Sequence, residues 1–330
     1  MNEKFKILIV GCGELGSRHL QAVATLPTVE EIVVVDSNAT AIQTGQSRLK
    51  DLPGLSSHIT FRWLSSLEAV KGTYDLCIVA TLAQGRCALI KKIANQLGIR
   101  QFLIEKIVSQ SSSEYADLLQ FAEANRLEIR VNCKTRAYPI HQHVKKQLRP
   151  GEPILFSAMG GNHGLANNGV HTSDLFIFYD ESPEIQLVSS AIEPTLHVSK
   201  RGKDIFDLSG TLTGKTDKGS TFMLSYAGDH VASEQFSIVT KSYRCIIDQM
   251  LRWAFENDGE KGSPWRPLPF EGNLMVSQMT KTFVTEMFEK RNCHLPLLNE
   301  CWPAHRFILD ALQPHFNRLS GEKRNHCPVT

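Results

Sequence analysis

Residues 5–36 read FKILIVGCGELGSRHLQAVATLPTVEEIVVVD, and this stretch decides the fold. Phe5–Val10 is a short run dominated by apolar residues, followed at once by Gly11-Cys12-Gly13-Glu14-Leu15-Gly16. Ser17–Leu26 carries Leu20, Val23 and Ala24 at i, i+3 and i+4, the spacing of one helix face. Ile32–Val35 is a second β-branched run and ends in Asp36, twenty residues past Gly16. Strand, G-x-G-x-x-G turn, helix, strand and acid in that order form the dinucleotide-binding βαβ pattern. Gly11 allows the tight turn, Gly13 lets the backbone approach a pyrophosphate, and Gly16 lets the helix pack close to the strand. The helix start offers unpaired N–H groups and partial positive charge to the phosphates. Cys12, Glu14 and Leu15 fill the remaining loop positions and are expected beside the cofactor. Asp36 can accept hydrogen bonds from ribose hydroxyls and repels a 2′-phosphate, which favours NAD over NADP. The alternative is a tight βα turn that holds no ligand.

A length of 330 residues suits two domains. With 42% hydrophobic and 21% charged residues the composition is that of a globular protein, and a net charge of +2 gives no electrostatic case for nucleic acid or a membrane surface. The longest apolar runs are strand length, too short for a membrane span or a signal peptide, so a cytoplasmic protein is expected. None of the eight cysteines forms a C-x-x-C pair, and they read as reduced, structural thiols.

Strands and helices continue to alternate beyond the opening stretch. Helices are expected over Ala39–Leu49, Leu67–Val70, Arg86–Leu97 and Tyr115–Asn125, and strands over Ile59–Leu64, Tyr74–Thr81, Gln101–Val108 and Glu128–Val131. Such alternation predicts an α/β doubly wound parallel sheet, a Rossmann domain, with ligands at the carboxyl ends of its strands. Thr81, Glu105, Lys106 and Asn132 lie at or near such ends. Around Lys134 the pattern changes. After a helix at Tyr138–Leu148 come strand-like runs at Ile154–Met159, Ile185–Ile192, Ile205–Leu212, Thr221–Tyr226, Glu234–Thr240 and Tyr243–Ile247, separated by turns. Helices are expected at Val170–Tyr179, Leu274–Arg291 and Asn299–Leu312, with a fraying polar tail from Ser320. The expected division is a dinucleotide-binding domain, 1–134, and a substrate-binding and oligomerisation domain, 135–330, of α+β class with a largely antiparallel open sheet.

These residues resemble the Gfo/Idh/MocA family of glucose–fructose oxidoreductase and inositol dehydrogenase over nearly the whole chain. The Gly loop runs on to Ser17-Arg18-His19, like the family's G-x-G-x-x-G-x-x-H start. Ile104-Glu105-Lys106-Ile107 is similar to its E-K-P motif, Arg136 and Pro139 to its R-x-x-P segment, and Asn167–Asp174 to its D-x-G-x-H-x-x-D segment. Two positions depart from the family. Ile107 replaces the proline, so the loop carrying Lys106 is free to be aimed differently. Asn167 replaces the first acid, and an amide cannot take up a proton as a carboxylate does.

The resemblance implies an NAD(P)-dependent dehydrogenase or reductase acting on a secondary hydroxyl or ketone of a sugar. One branch points to a nucleotide-linked sugar in bacterial surface-polysaccharide synthesis. It implies that Lys106 and His171 converge on a cleft and share proton transfer, with Arg136 and Asn167 positioning substrate. A lysine suits that work where burial or a nearby cation draws its pKa toward neutrality. Glu105 is expected to orient Lys106 or touch the ribose, and Asp174, three residues after His171, to orient that ring, cap backbone or help bind substrate. His163 lies near the same segment and is a further candidate for the cleft. No metal is expected: in His141-x-His143 the two rings point apart on a helix, and no Cys/His cluster adds to them. Trp253, Trp265 and Trp302 read as core or interface residues. Two rival functions are a dinucleotide-binding regulator or pseudo-enzyme, and an NAD-retaining enzyme that cleaves a glycosidic bond through transient oxidation. The open sheet face needs a cover, and relatives supply it by pairing subunits, which implies a homodimer or homotetramer.

Overall fold

The opening run forms β1 (Phe5–Val10), and the Gly loop leads directly into α1 (Glu14–Val23). A computed structural model describes residues 4–162, 164–270, 275–289 and 293–330. His163 and the ends of the expected helix at 274–291 lie outside the described residues. The chain divides into two compact units. The first is Met1–Ser109, Glu114–Asn132 and Asn273–Leu298; the second is Gln110–Ser113, Cys133–Gly272 and Asn299–Thr330.

In the first unit β1 and α1 are followed by β2 (Val29–Val35), α2 (Ala39–Lys50), β3 (Thr60–Leu64), β4 (Leu76–Val79), α3 (Arg86–Leu97), β5 (Gln101–Ile104), α4 (Ser112–Ala124) and β6 (Glu128–Val131). The strands are parallel throughout, in the order β3-β2-β1-β4-β5-β6. Ile7–Val10, Ile32–Val35 and Leu76–Val79 are buried over their whole length, because helices cover both faces of such a sheet. The strand order reverses between β1 and β4, so Gly11 and Thr81 leave neighbouring strands at the point where doubly wound sheets bind ligands.

The second unit continues from a short 3₁₀ turn at Lys134–Ala137 through α5 (Pro139–Gln147), β7 (Leu155–Gly160) and α6 (Gly169–Asp180). Then come β8 (Gln186–Ile192), β9 (His197–Val198), β10 (Phe206–Asp207), β11 (Gly210–Lys215), β12 (Thr221–Tyr226), β13 (Gln235–Val239), β14 (Arg244–Asp248), β15 (Trp253–Asn257) and β16 (Arg266–Leu268). The large sheet has the order β16-β15-β14-β13-β7-β12-β11-β8, with β7–β12 parallel and the other pairings antiparallel. Side chains alternate across it. Phe156, Phe222, Phe236, Ile238 and Ile247 face the core, where Phe156 meets Phe176 and Tyr179 of α6 with ring centroids 5.6 and 6.2 Å apart. Burial of each such ring contributes about 1.5–3 kcal/mol. Every residue of α6 except His171 and Phe178 is buried, the mark of a core helix. On the opposite face of the sheet Leu155, Met159, Ile246 and Phe255 are exposed.

α7 (Val276–Phe288) belongs to the first unit, where it packs on α1. Phe288 stacks on Phe5 with centroids 3.9 Å apart, and Val131 N donates to Pro296 O at 3.0 Å. α8 (Leu298–Ser320) runs eight residues beyond the expected end at Leu312 and contains Pro303 and Pro314. Cys301, Ala304, Phe307, Ile308, Ala311, Leu312 and Phe316 keep one buried stripe across both prolines, and that burial outweighs the lost backbone bonds.

Three other expectations need correcting. The run Ile205–Leu212 is broken into β10 and β11 at Gly210, whose φ is +123° and where a Cβ would lie 2.2 Å from Ala191 O. β15 and β16 were not expected. Their short, half-exposed pattern is held by pairing with β14 and with each other. The tail does not fray throughout: Cys327–Thr330 are buried, with Cys327 N donating to Gln110 O and Phe206 N to Pro328 O. Trp265, read as a core or interface residue, is 46% exposed. No helix among the described residues is long and apolar enough to cross a membrane.

Candidate active site

The Gly loop shows which glycines serve the fold and which leave space. Gly11 has φ +91°, and a Cβ on Gly16 would stand 1.9 Å from Gly11 O. A Cβ on Gly13 would meet nothing within 4 Å. Gly13 is the N-cap of α1 and supplies no capping side chain. The loop therefore presents an open cradle at a helix N-terminus, suited to a phosphate. Asp36 closes it from β2: Cys12 N donates to Asp36 Oδ2 at 2.6 Å and Asn38 N to Oδ1 at 2.8 Å. A carboxylate has further lone pairs, so ribose hydroxyls can still be accepted there. Glu14 turns to Arg48 of α2, which also donates to Ser17 Oγ at 2.5 Å. Burial and the Asp36 charge push the Cys12 thiol up to about 11, so it is not a nucleophile. None of the eight cysteines, all of them among the described residues, is joined in a disulfide.

Beyond β5 the chain places Glu105 and Lys106, which are 4% and 5% exposed. Glu105 Oε1 accepts from His19 Nε2 at 2.8 Å and from Asn132 Nδ2 at 2.7 Å. A carboxylate only accepts, so His19 Nε2 carries a proton towards it, and Nδ1 meets Thr280 Oγ1 at 2.8 Å. Burial works against the Glu105 charge. The His19 bond and charge, the Asn132 bond and the Lys106 charge outweigh it and hold the carboxyl at about 2. The Lys106–Ile107 peptide bond is cis. His19, Glu105, Lys106, Asn132 and Thr81 thus lie in one unit with the Gly loop. Thr280 and Arg86, whose guanidinium bonds the carbonyls around Lys106, escaped the sequence analysis. Arg86 did leave a signal, because a cation on the first turn of a helix opposes the helix dipole.

The other expected residues lie in the second unit. Arg136 Nε and Nη2 donate to Asp174 Oδ2 and Oδ1 at 2.7 and 2.6 Å, a bidentate pair. Both residues are buried; burial disfavours the guanidinium charge, and Asp174 outweighs it, so Arg136 stays a cation. Asp174 thus faces Arg136 with both oxygens. His171 lies on α6 and is partly exposed. Asn167 Nδ2 donates to Phe206 O and its Oδ1 accepts from Thr330 N, each at 2.9 Å. Lys106 belongs to one unit and His171 to the other. Among the described residues, Cys133, Asp174 and Cys301 bring possible metal-ligand atoms within 4.8 Å of one another. The Arg136 guanidinium already occupies that carboxylate and repels a cation. His141 and His143 point apart: one meets Tyr179 and Gln249, the other Glu256.

No family model matches the sequence, and no curated protein matches it. Solved structures do match over nearly the whole chain. The UDP-N-acetylglucosamine 3-dehydrogenase of Acidithiobacillus ferrooxidans is 16% identical with a TM-score of 0.71, covering 93% of this chain and 95% of that one. A Gfo/Idh/MocA family oxidoreductase from Vibrio cholerae is 15% identical with a TM-score of 0.70, covering 97% and 100%. A 3-ketoreductase from Actinomadura kijaniata, solved with TDP-benzene and NADP, is 14% identical with a TM-score of 0.69, covering 94% and 96%. The chain has the fold of the Gfo/Idh/MocA oxidoreductases: a Rossmann unit joined to an α+β unit with an open, largely antiparallel sheet.

Proposed function

We propose that the protein is a nicotinamide-dependent oxidoreductase acting on a secondary hydroxyl or ketone of a nucleotide-linked sugar. The observation that carries this reading is the open cradle at Gly13, at an uncapped helix start and beside Asp36. Bound NAD would supply the hydride acceptor or donor. The Gly11–Gly16 backbone would hold its phosphates, Asp36 its ribose, and Thr81 and Glu105 would lie toward the reactive end. Glu105, pinned by His19 and Asn132, orients the chain at Lys106. Lys106 takes or returns the hydroxyl proton, with His171 sharing that transfer. Arg136, Asn167 and Asp174 fix α6 and the segment before it, and so place substrate against His171. The nucleotide-sugar class is supported by the substrate named for the Acidithiobacillus enzyme and the TDP compound held by the Actinomadura one. A surface-polysaccharide pathway fits that class.

The test is Lys106→Met, assayed with NAD(H) and a panel of nucleotide sugars and their keto forms. Turnover should vanish while calorimetry still shows NAD binding; full activity in the variant removes Lys106 from the mechanism. Asn167, bound to Phe206 and Thr330 where the family has an acid, favours a second reading as a dinucleotide-binding regulator. NAD binding by the wild type without turnover of any panel member would decide for it. The exposed apolar residues Leu155, Met159, Ile246 and Phe255 support pairing of two copies through the open sheet face. A monomer by sedimentation at micromolar concentration would count against that pairing.

A further inference from the structure

Arg86 opens α3 and is 1% exposed. Its Nη1 donates to Glu105 O at 2.5 Å and also to Ile107 O, and its Nη2 donates to Thr81 O. Two of these carbonyls flank Lys106 in the chain, and the third lies just past β4. A cation at this place is unfavourable twice over, since it stands on the positive end of a helix and is withdrawn from water. Such a group persists where its N–H groups meet strong acceptors. Here the acceptors are main-chain carbonyls around the residue expected to move the proton.

We propose that Arg86 is a positioning residue for Lys106, clamping the main chain on both sides of it and tying that loop to the end of β4. The proposal rests on the functional reading given to Lys106 above. A planar guanidinium can reach three carbonyls in different directions, which the single point charge of an ammonium cannot reproduce. Glu105 is then held at both ends: its carboxylate by His19 and Asn132, its carbonyl by Arg86. The Lys106 side chain departs from a backbone with little freedom left. Loss of the clamp lets the amine drift, and a displacement of about 1 Å at a reacting group costs on the order of 100-fold in rate.

The experiment compares wild type, Arg86→Met and Arg86→Lys by hydrogen exchange, NAD calorimetry and steady-state kinetics. Both variants should exchange the amides of residues 105–108 at least tenfold faster, with β1, β2 and α1 unchanged. Their kcat should fall about 100-fold while the NAD dissociation constant stays within threefold. Unchanged exchange at 105–108, or kcat within threefold of wild type, overturns the proposal. So does loss of protection across the whole sheet in both variants, which would make Arg86 a general structural strut. If the wild type turns over no substrate, the functional reading fails by itself, and the exchange pattern still decides whether Arg86 clamps the loop.

Discussion

The buried carboxylate of Glu105 offers a test of the first unit that needs no substrate. Its pKa is held at about 2 against an ordinary 4.5, because the bond and charge of His19, the Asn132 bond and the Lys106 charge outweigh the cost of burial. A group with a depressed native pKa stabilises the fold above its unfolded pKa, and that stability is lost as the pH falls through the native value. The shift corresponds to about 3 kcal/mol at neutral pH. Roughly 1 kcal/mol of it is gone by pH 4 and about half by pH 3.3. Glu105→Gln keeps an oxygen for His19 but removes the charge. We expect it to be about 2–3 kcal/mol less stable than wild type near pH 7, with the gap narrowing as the pH falls below about 5. Urea unfolding of both proteins, followed by circular dichroism at a series of pH values, measures that gap. Taking the difference cancels every other titrating group. A gap that stays constant from about pH 7 to pH 3.5, or is absent at neutrality, refutes the account of Glu105.

The two inner glycines should separate binding from stability. Gly16→Ala pushes a methyl into Gly11 O and should cost about 1–3 kcal/mol, whereas Gly13→Ala, with φ −64° and open space, should leave the melting temperature nearly unchanged and weaken NAD binding in calorimetry. Asp174→Ala strands a buried guanidinium and should cost about 3–5 kcal/mol in urea unfolding, while replacing Arg136 and Asp174 together by Met and Leu should cost much less. Burial lowers the pKa of His141 to about 4. The unfolded chain therefore takes up a proton below about pH 6.5 that the native ring refuses, and about 2 kcal/mol should be lost by pH 5. His141→Gln should flatten that part of the stability–pH curve.

Local features made much of the first unit legible. A parallel sheet covered on both faces writes its strands as continuous apolar runs, and three glycines at fixed spacing with an acid after the next strand admit few other structures. The core strands of the second sheet were readable from alternation. The closing partners were not. His19 meets Thr280 across 261 positions of sequence, and no periodicity announces a pair so far apart. Arg136 and Asp174 were separately marked as substrate-facing, and only packing shows that they face each other. The polar composition of the tail suggested fraying, yet Asn167, Gln110 and Phe206 take up the backbone groups of its last four residues. Those partners lie more than a hundred residues away along the chain, so composition near the terminus carried no trace of them.

By itself the chain's order of residues determined the cradle at residues 11–16, the acid at Asp36 and the succession of parallel strands, because those depend on contacts within a few tens of residues. Tertiary structure alone decided which buried charges are paired, which glycine keeps open space and what holds the chain at Lys106. These depend on side chains brought together from distant segments, where desolvation makes every unmatched polar group costly and so selects the partner.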